Sequence, residues 1–112
     1  IKNGVSIWLE LKCINKNSIN ISPLQISWNY KHFQENGNNY YIVQDTRSKV
    51  IKLYSGNKGK EIKEQGFKCT CTFLLEPPYD WTMLDIALFK GMKYFDTKKG
   101  QRLIKNYLNR EL

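Results

Sequence analysis

The sequence lacks the residues that mark several common kinds of functional site. It holds 3 cysteines and 1 histidine among 112 residues. An odd number of cysteines argues against a disulfide framework and favours a reducing compartment. The sequence also has no Ser/His/Asp set, no glycine-rich phosphate loop and no His-Glu-x-x-His motif, so those nucleophilic, nucleotide-binding and metalloprotease signatures are absent.

Long apolar runs are missing as well. No stretch approaches the roughly 20 apolar residues of a membrane-spanning helix, so we expect no membrane association. The N-terminal stretch Ile1-Lys2-Asn3-Gly4 is neither a signal peptide nor a start with methionine. Because Asn3-Gly4 is a hairpin-turn signal, we expect an earlier partner strand and therefore residues upstream of Ile1.

A zinc site is one reading of the few metal-binding residues. A Cys3His set would consist of Cys13, Cys69, Cys71 and His32. The Cys-x-Cys spacing is poor for zinc, and cysteine is a common buried residue. The sequence therefore favours buried thiols, with His32 on a helix surface or partly buried.

The charge is strongly positive. The 18 Lys and Arg residues exceed the 10 Asp and Glu residues, which gives a net charge of +8. Small basic domains often bind polyanions, because neutralising phosphates releases condensed counterions. The chain is also rich in Lys, Asn and Ile, as AT-rich coding alone would produce. Charge by itself therefore leaves nucleic-acid binding and ordinary solvation open.

Hydrophobic periodicity predicts one mixed α/β domain over residues 1–112, with a central sheet flanked by helices. A helix should begin at Pro23, after the N-cap Ser22, and end near Glu35. A second helix should run from about Trp81 to Lys90, and residues 55–66 should form a loop or a short helix. Strands are expected at residues 5–12, 40–44, 49–54 and 67–75, and a last helix is expected at residues 98–111.

Two of these elements have a predicted apolar side. In the first strand, alternation sets Leu9 and Leu11 against Glu10 and Lys12. In the first helix, the apolar stripe is expected to include Leu24, Trp28, Ile26, Tyr30 and Phe33, beside a polar line of Gln25, Asn29 and His32.

The pair Glu10 and Lys12 suggests chemistry on a phosphate. Two residues apart on a strand, their side chains point the same way. The Glu10 carboxylate could hold a hard divalent cation together with the backbone carbonyl of Leu11. The Lys12 ammonium could orient a water molecule and offset phosphate charge, and Gln25 could face the same site. The motif also arises by chance: a second copy, Glu61-Ile62-Lys63, reads as a solvated surface pair.

The ordered set of motifs resembles the PD-(D/E)xK nuclease superfamily, in its branch of VRR-NUC domains and Holliday-junction-resolvase-like enzymes. The apolar strand ends in Glu10-Leu11-Lys12. The helix start carries Ser22, Gln25 and Trp28, and a turn at Gly37 leads to the strand Tyr40 to Val43. The resemblance covers about residues 5–54.

The resemblance implies a restriction-endonuclease-like core, here without its first helix and strands. It further implies hydrolysis of DNA phosphodiesters with Mg²⁺ or Mn²⁺, without a small-molecule cofactor. Many small members belong to bacteriophages, so we expect a cytoplasmic protein of a bacterial or phage-infected cell. Resolvase-like members are often dimers, which leaves a homodimer open.

One departure concerns a metal ligand, since such enzymes carry an acidic residue, usually Asp, on the strand before Glu-x-Lys. No Asp or Glu precedes Glu10. Three explanations stay open: the sequence starts inside the domain, another chain supplies the acid, or the protein binds without cleaving. In a fourth explanation, an acidic residue later in the sequence, such as Asp45 or Asp80, replaces the missing metal ligand.

The expected DNA-contacting surface is a basic cluster near the C-terminus. It contains Lys90, Lys93, Lys98, Lys99, Arg102 and Lys105. Two other functional classes remain. One is a nucleic-acid-binding module without catalysis, and the other is a protein-interaction domain whose charge reflects codon usage.

Overall fold

The structure, a computed structural model, describes residues 7–35, 37–89, 97–102 and 105. The elements in chain order are β1 (Trp8–Ile14), α1 (Pro23–Gln34), β2 (Asn39–Asp45), β3 (Ile51–Ser55), α2 (Gly59–Gln65), β4 (Phe73–Leu75) and α3 (Trp81–Phe89). Short 3-10 turns, Gly56–Lys58 and Gly66–Lys68, flank α2. Within this part of the chain, no helix has both the length and the apolar character needed to cross a membrane.

The strands form one mixed sheet in the order β1-β2-β3-β4. β1 pairs with β2 in parallel, and α1 makes the crossover that a parallel pair requires. β2, β3 and β4 pair in antiparallel fashion. The predicted α/β class with a mixed sheet is confirmed.

Helices cover the two faces of the sheet. On the α1–α2 face, Tyr41, Val43 and Tyr54 pack with Ile62 of α2 and with Ile21. On the opposite face, the α3 face, the cluster consists of Ile51, Leu53, Leu75, Met83, Ile86 and Ala87. Alternate residues of β2 therefore serve different clusters, as the period-two geometry of a strand dictates.

Helix α1 begins where the sequence predicts, but its orientation differs from the prediction. Leu24 is 83% exposed and Trp28 is 50% exposed, whereas Asn29 is buried. The reason is a chain of amide hydrogen bonds. Asn29 Nδ2 donates to the Gln25 carbonyl at 2.8 Å, and Asn39 Nδ2 donates to the carbonyl and side-chain oxygens of Asn29 at 2.8 and 3.0 Å. The predicted polar line thus faces the protein.

The strand predicted at residues 67–75 is shorter than expected. Only Phe73–Leu75 is a strand, and Gly66–Lys68 is a 3-10 turn. The backbone amides of Phe67 and Lys68 bond to a loop and not to a neighbouring strand. Phe67 N donates to the Asn17 carbonyl at 2.8 Å, and Lys68 N donates to Asn17 Oδ1 at 3.0 Å.

Several predicted features fall partly or wholly outside the described residues. These include the Asn3-Gly4 turn, residues 5–6 of the first strand and most of the last helix. Residues 98–102 are helical as predicted, after Thr97, whose Oγ1 accepts from Gly100 N at 3.0 Å.

Candidate functional site

Glu10 and Lys12 lie on the α1–α2 face of β1. Their register partners on β2 are Tyr41 and Val43, which are buried on that face. Paired residues of neighbouring strands project to the same side of a sheet, so Glu10 and Lys12 project together. Both side chains are half-buried. The pair is thus neither enclosed in the core nor fully solvated, and it lies beside the buried side chains of β2.

Among the described residues, β1 pairs with another strand on one side only. Trp8 N donates to the Asn38 carbonyl at 2.9 Å, and Thr46 N donates to the Ile14 carbonyl at 2.8 Å. In a parallel ladder with this phase, residues 8, 10, 12 and 14 bond to β2. The carbonyls of Leu9 and Leu11 therefore point to the other edge, and β1 is an edge strand of the described sheet. Leu11, with 67% of its surface exposed, directs its carbonyl outward beside Glu10.

Tyr41 lies beside Glu10 on the same face of the sheet. Its hydroxyl is buried, with no hydrogen-bond partner at bonding distance among the described residues. Burial raises the pKa of Tyr41 to about 12; the Glu10 charge acts in the same direction, and the neighbouring Asn29 amide acts against it. Packing above the ring is tight, because a Cβ at Gly59 would lie 2.6 Å from the Tyr41 hydroxyl. Glu10 therefore borders a surface with little room to rearrange.

Gln25 has a structural partner in the first turn of α1. Its Oε1 accepts from Ser22 N at 3.2 Å, and Gln25 N donates to Ser22 Oγ at 3.2 Å. This is a reciprocal capping box. The cap fixes the side-chain oxygen of Gln25 on the helix. A role for Gln25 at the phosphate stays a prediction.

Asp45 is engaged in a turn, and the structure gives no support to it as a substitute ligand. Its carboxylate accepts from Arg47 Nε and from Ser48 Oγ, each at 3.0 Å. The hydrogen bond from Arg47 is the main reason that the pKa of Asp45 is lowered. Asp45 pairs with Ile14, four residues along β1 from Glu10, which corresponds to about 13 Å.

Asp80 is also committed elsewhere. Its Oδ1 accepts from Thr82 N at 3.0 Å, so it caps α3. Among residues 7–35, 37–89, 97–102 and 105, no three His, Cys, Asp or Glu side chains form a group that could hold a metal ion. Glu10 is therefore not part of such a group of three among the described residues.

The zinc set considered from the sequence is not assembled. Cys13 is exposed on β1, whereas Cys69 is buried in the cluster on the α1–α2 face. Burial is the main cause that raises the pKa of the Cys69 thiol. The preference for a buried thiol holds for Cys69, but Cys13 lies in solvent.

The second Glu-x-Lys copy differs from the first in its local structure. Glu61 and Lys63 lie on α2, where residues two apart point to different sides of the helix. Ile62 between them is buried. The interpretation as a solvated pair is wrong for Glu61, which is half-buried with Oε2 shielded from solvent.

An aromatic cluster that the sequence did not predict lies on the same face of β1 as Glu10. The Trp8 and Trp28 ring centroids are 5.8 Å apart, with 75° between the planes. Trp28 stacks on His32 at 4.9 Å and 8°. Trp8 precedes Glu10 by two residues, so it shares the face of Glu10. That spacing was the available signal, but the contact with α1 depends on tertiary structure.

The basic cluster near the C-terminus is partly described. Lys90 and Lys93 lie outside the described residues. The other four side chains are exposed at helical positions: Lys98, Lys99, Arg102 and Lys105. Positions 98 and 102 are one helical turn apart and therefore share one side of the helix.

Comparisons with known proteins add no relative. The chain matches no protein-family model, no curated protein and no solved structure. The function is therefore argued from the geometry of Glu10, Lys12 and their surroundings.

Proposed function

We propose that this chain is a metal-dependent nuclease that hydrolyses DNA phosphodiester bonds at Glu10 and Lys12. The observation that carries the proposal is the placement of this pair: both side chains project from one face of an edge strand, half-buried. A carboxylate and an ammonium at such a position can serve the two needs of phosphodiester hydrolysis, cation binding and charge compensation.

The donors fit Mg²⁺ or Mn²⁺ in kind. The Glu10 carboxylate and the outward carbonyl of Leu11 are hard oxygen ligands, and Mg²⁺ is commonly held by one or two carboxylates together with substrate phosphates. When bound, such an ion supplies Lewis-acid stabilisation of the phosphate and lowers the pKa of a bound water. With one carboxylate, binding should be weak until DNA or a further acid contributes oxygen atoms.

Lys12 provides the positive charge next to Glu10. Its ammonium can hold a water molecule by hydrogen bonding and can offset the negative charge that develops on the phosphate oxygens. The backbone of Lys12 faces β2, which ties the residue to the sheet. Lys12 is therefore positioned by a strand, not by a loop, which limits the freedom of its Cα.

The unit β1-α1-β2 supports the resemblance to PD-(D/E)xK nucleases. Its Glu-x-Lys strand, capped helix and following strand occur in the order of that pattern, and α1 connects two parallel strands. Our proposal includes a restriction-endonuclease-like core, a phage origin and cytoplasmic action. A missing acidic ligand would come from a strand added at the open edge of β1, from the same chain or from a partner in a homodimer.

The test is DNA cleavage by the full chain with Mg²⁺, Mn²⁺ or EDTA. We expect Glu10→Gln and Lys12→Ala each to reduce cleavage by at least about a hundredfold while unfolding at the temperature of the parent. The matched controls are Glu64→Gln and Lys63→Ala, exposed residues on α2, which should cleave like the parent. Equal cleavage by all four variants would show that the site is wrong.

A second candidate follows from the metal-binding residues near Glu10. Without a group of metal-binding side chains in the described chain, the protein could be a binding module that does not cleave. Retention of DNA by the parent, with no cleavage in either metal, would favour this function. Failure to retain DNA at low salt would favour a protein-interaction domain instead.

A further inference from the structure

The corner between Trp8 and Trp28 presents aromatic surface to solvent. Trp8 is 57% exposed and Trp28 is 50% exposed, although large aromatic side chains are usually buried for much of their area. Their planes are 75° apart, so the two indoles form a corner and not a closed stack. His32 covers one ring face of Trp28 and holds the ring in place.

The corner lies next to the candidate phosphate site. Trp8 and Glu10 are two residues apart on the same strand face, which corresponds to about 7 Å. This spacing is close to the distance between a nucleotide's phosphate and its own base or the next one. A phosphate at Glu10 and Lys12 would therefore bring a base within reach of Trp8.

Charged residues of both signs border the aromatic surface. A cavity of about 190 Å³ beside Trp28 and His32 is also lined by Lys31 and Glu35. Lys12 lies on the Trp8 side, two residues beyond Glu10. The chain as a whole carries a net charge of +8. Flat aromatic rings with lysines in their surroundings are features by which proteins hold unpaired nucleic-acid bases.

We propose that Trp8 and Trp28 stack an unpaired DNA base next to the phosphate held at Glu10 and Lys12. The inference rests on the proposed nuclease function and names its substrate class: DNA with a single-stranded segment at the point of cleavage. A base inside a duplex is stacked on its neighbours and cannot offer a ring face to Trp8. The corner therefore selects DNA with unpaired bases over continuous duplex.

The experiment measures binding separately from cleavage. A labelled 12-nucleotide single strand and the duplex of the same sequence are titrated with the full chain in EDTA, and fluorescence anisotropy is followed. We expect Trp8→Ala and Trp28→Ala to weaken single-strand binding about tenfold and duplex binding less than about twofold. Trp8→Phe and Trp28→Phe should keep most of the affinity, because a ring remains.

Trp81 provides the matched control. It is 56% exposed, but it lies at the start of α3 beside Tyr79, away from Trp8 and Trp28, and borders an apolar cavity on the α3 face that Leu11 and Lys12 also line. Trp81→Ala should leave both affinities unchanged. Loss of single-strand binding in Trp81→Ala to the same degree, or parent-like binding by Trp8→Ala and Trp28→Ala, would overturn the proposal. Each variant is first compared with the parent by thermal unfolding.

Failure of the inference and failure of the nuclease function give different results. If Glu10→Gln binds the single strand like the parent but no variant ever cleaves, the base platform stands and the nuclease function falls. If the parent cleaves duplex and single strand equally and the tryptophan variants match it, the nuclease function stands and the platform falls.

Discussion

Glu10 of β1 lies opposite Tyr41 of β2, and the Glu10 charge adds to the burial that raises the pKa of the Tyr41 hydroxyl to about 12. The candidate site thus has a wall of low polarity behind its carboxylate. Such a wall strengthens electrostatic interactions in front of it, because less water is available to screen them. Because burial shifts the pKa of Tyr41, the ionisation of its hydroxyl should affect the free energy of unfolding.

Tyr41→Phe should change the stability of the protein at alkaline pH. The folded pKa of about 12 exceeds the ordinary value of 10.0, so the stability linked to Tyr41 is present below pH 10 and lost as the pH rises towards 12. Between pH 10 and 12, the free energy of unfolding of the parent should fall with rising pH more steeply than that of Tyr41→Phe, by about 1.4 kcal/mol per pH unit. Urea unfolding between pH 9 and 12 measures it.

Tyr54→Phe is the comparison for Tyr41→Phe. The Tyr54 hydroxyl donates to the Cys69 carbonyl at 3.1 Å, whereas the Tyr41 hydroxyl is without a partner among the described residues. At pH 7 we expect Tyr54→Phe to destabilise the protein by about 1 kcal/mol and Tyr41→Phe to be nearly neutral. A larger loss in Tyr41→Phe would contradict the placement of its hydroxyl.

Asn39 and Gly56 should be energetically coupled. A Cβ at Gly56 would lie 2.0 Å from Asn39 Nδ2, so Gly56→Ala should cost about 1–3 kcal/mol by overpacking. Asn39→Ala leaves Asn29 Oδ1 without its donor and should cost about 1–3 kcal/mol. In the double variant the new methyl group occupies the space that the amide leaves. The double-mutant cycle should therefore show a coupling of at least about 0.5 kcal/mol, and strictly additive losses would exclude the contact.

Ser22→Ala and Gln25→Ala separate the capping role of Gln25 from a role at the phosphate. Both variants break the reciprocal cap of α1 and should lose about 0.5–2 kcal/mol of unfolding free energy. Ser22→Ala keeps the Gln25 side chain. If Gln25 serves the site, DNA cleavage falls in Gln25→Ala alone; equal cleavage by the two variants assigns Gln25 to the helix cap only.

The basic cluster should control the salt dependence of DNA binding. Replacing Lys98 and Arg102 by Gln removes two exposed charges from one side of a helix. If both contact phosphates, the slope of log K against log salt should become shallower by about 1 to 2. The control is the pair Lys60→Gln and Lys63→Gln on α2, which carries the same charge change. A similar slope change in both double variants would mean that only net charge matters.

The sequence predicted best those features that depend on near neighbours. The start of α1 follows from Ser22, Pro23 and Gln25, which form the cap by local hydrogen bonds. The hairpin of β2 and β3 follows from two apolar runs around the turn at Asp45. The shared direction of Glu10 and Lys12 follows from strand alternation alone.

Features set by distant residues were missed. The orientation of α1 depends on an amide pair between Asn29 and Asn39, which the apolar pattern of the helix could not reveal. The strand expected before Phe73 is replaced by bonds to Asn17, some fifty residues away in sequence. In the candidate site, Tyr41 and the contact of Trp8 with Trp28 likewise come from tertiary packing.

The parallel pairing of β1 has a consequence for the order of folding. Trp8 pairs with Asn39, so 31 positions separate the partners, whereas Gln44 and Ile51 are seven positions apart in the hairpin of β2 and β3. Longer separations carry a larger loop-closure entropy and form later. The segment that holds Glu10 and Lys12 should join last and open first, and its amide protons should exchange sooner than those of β3.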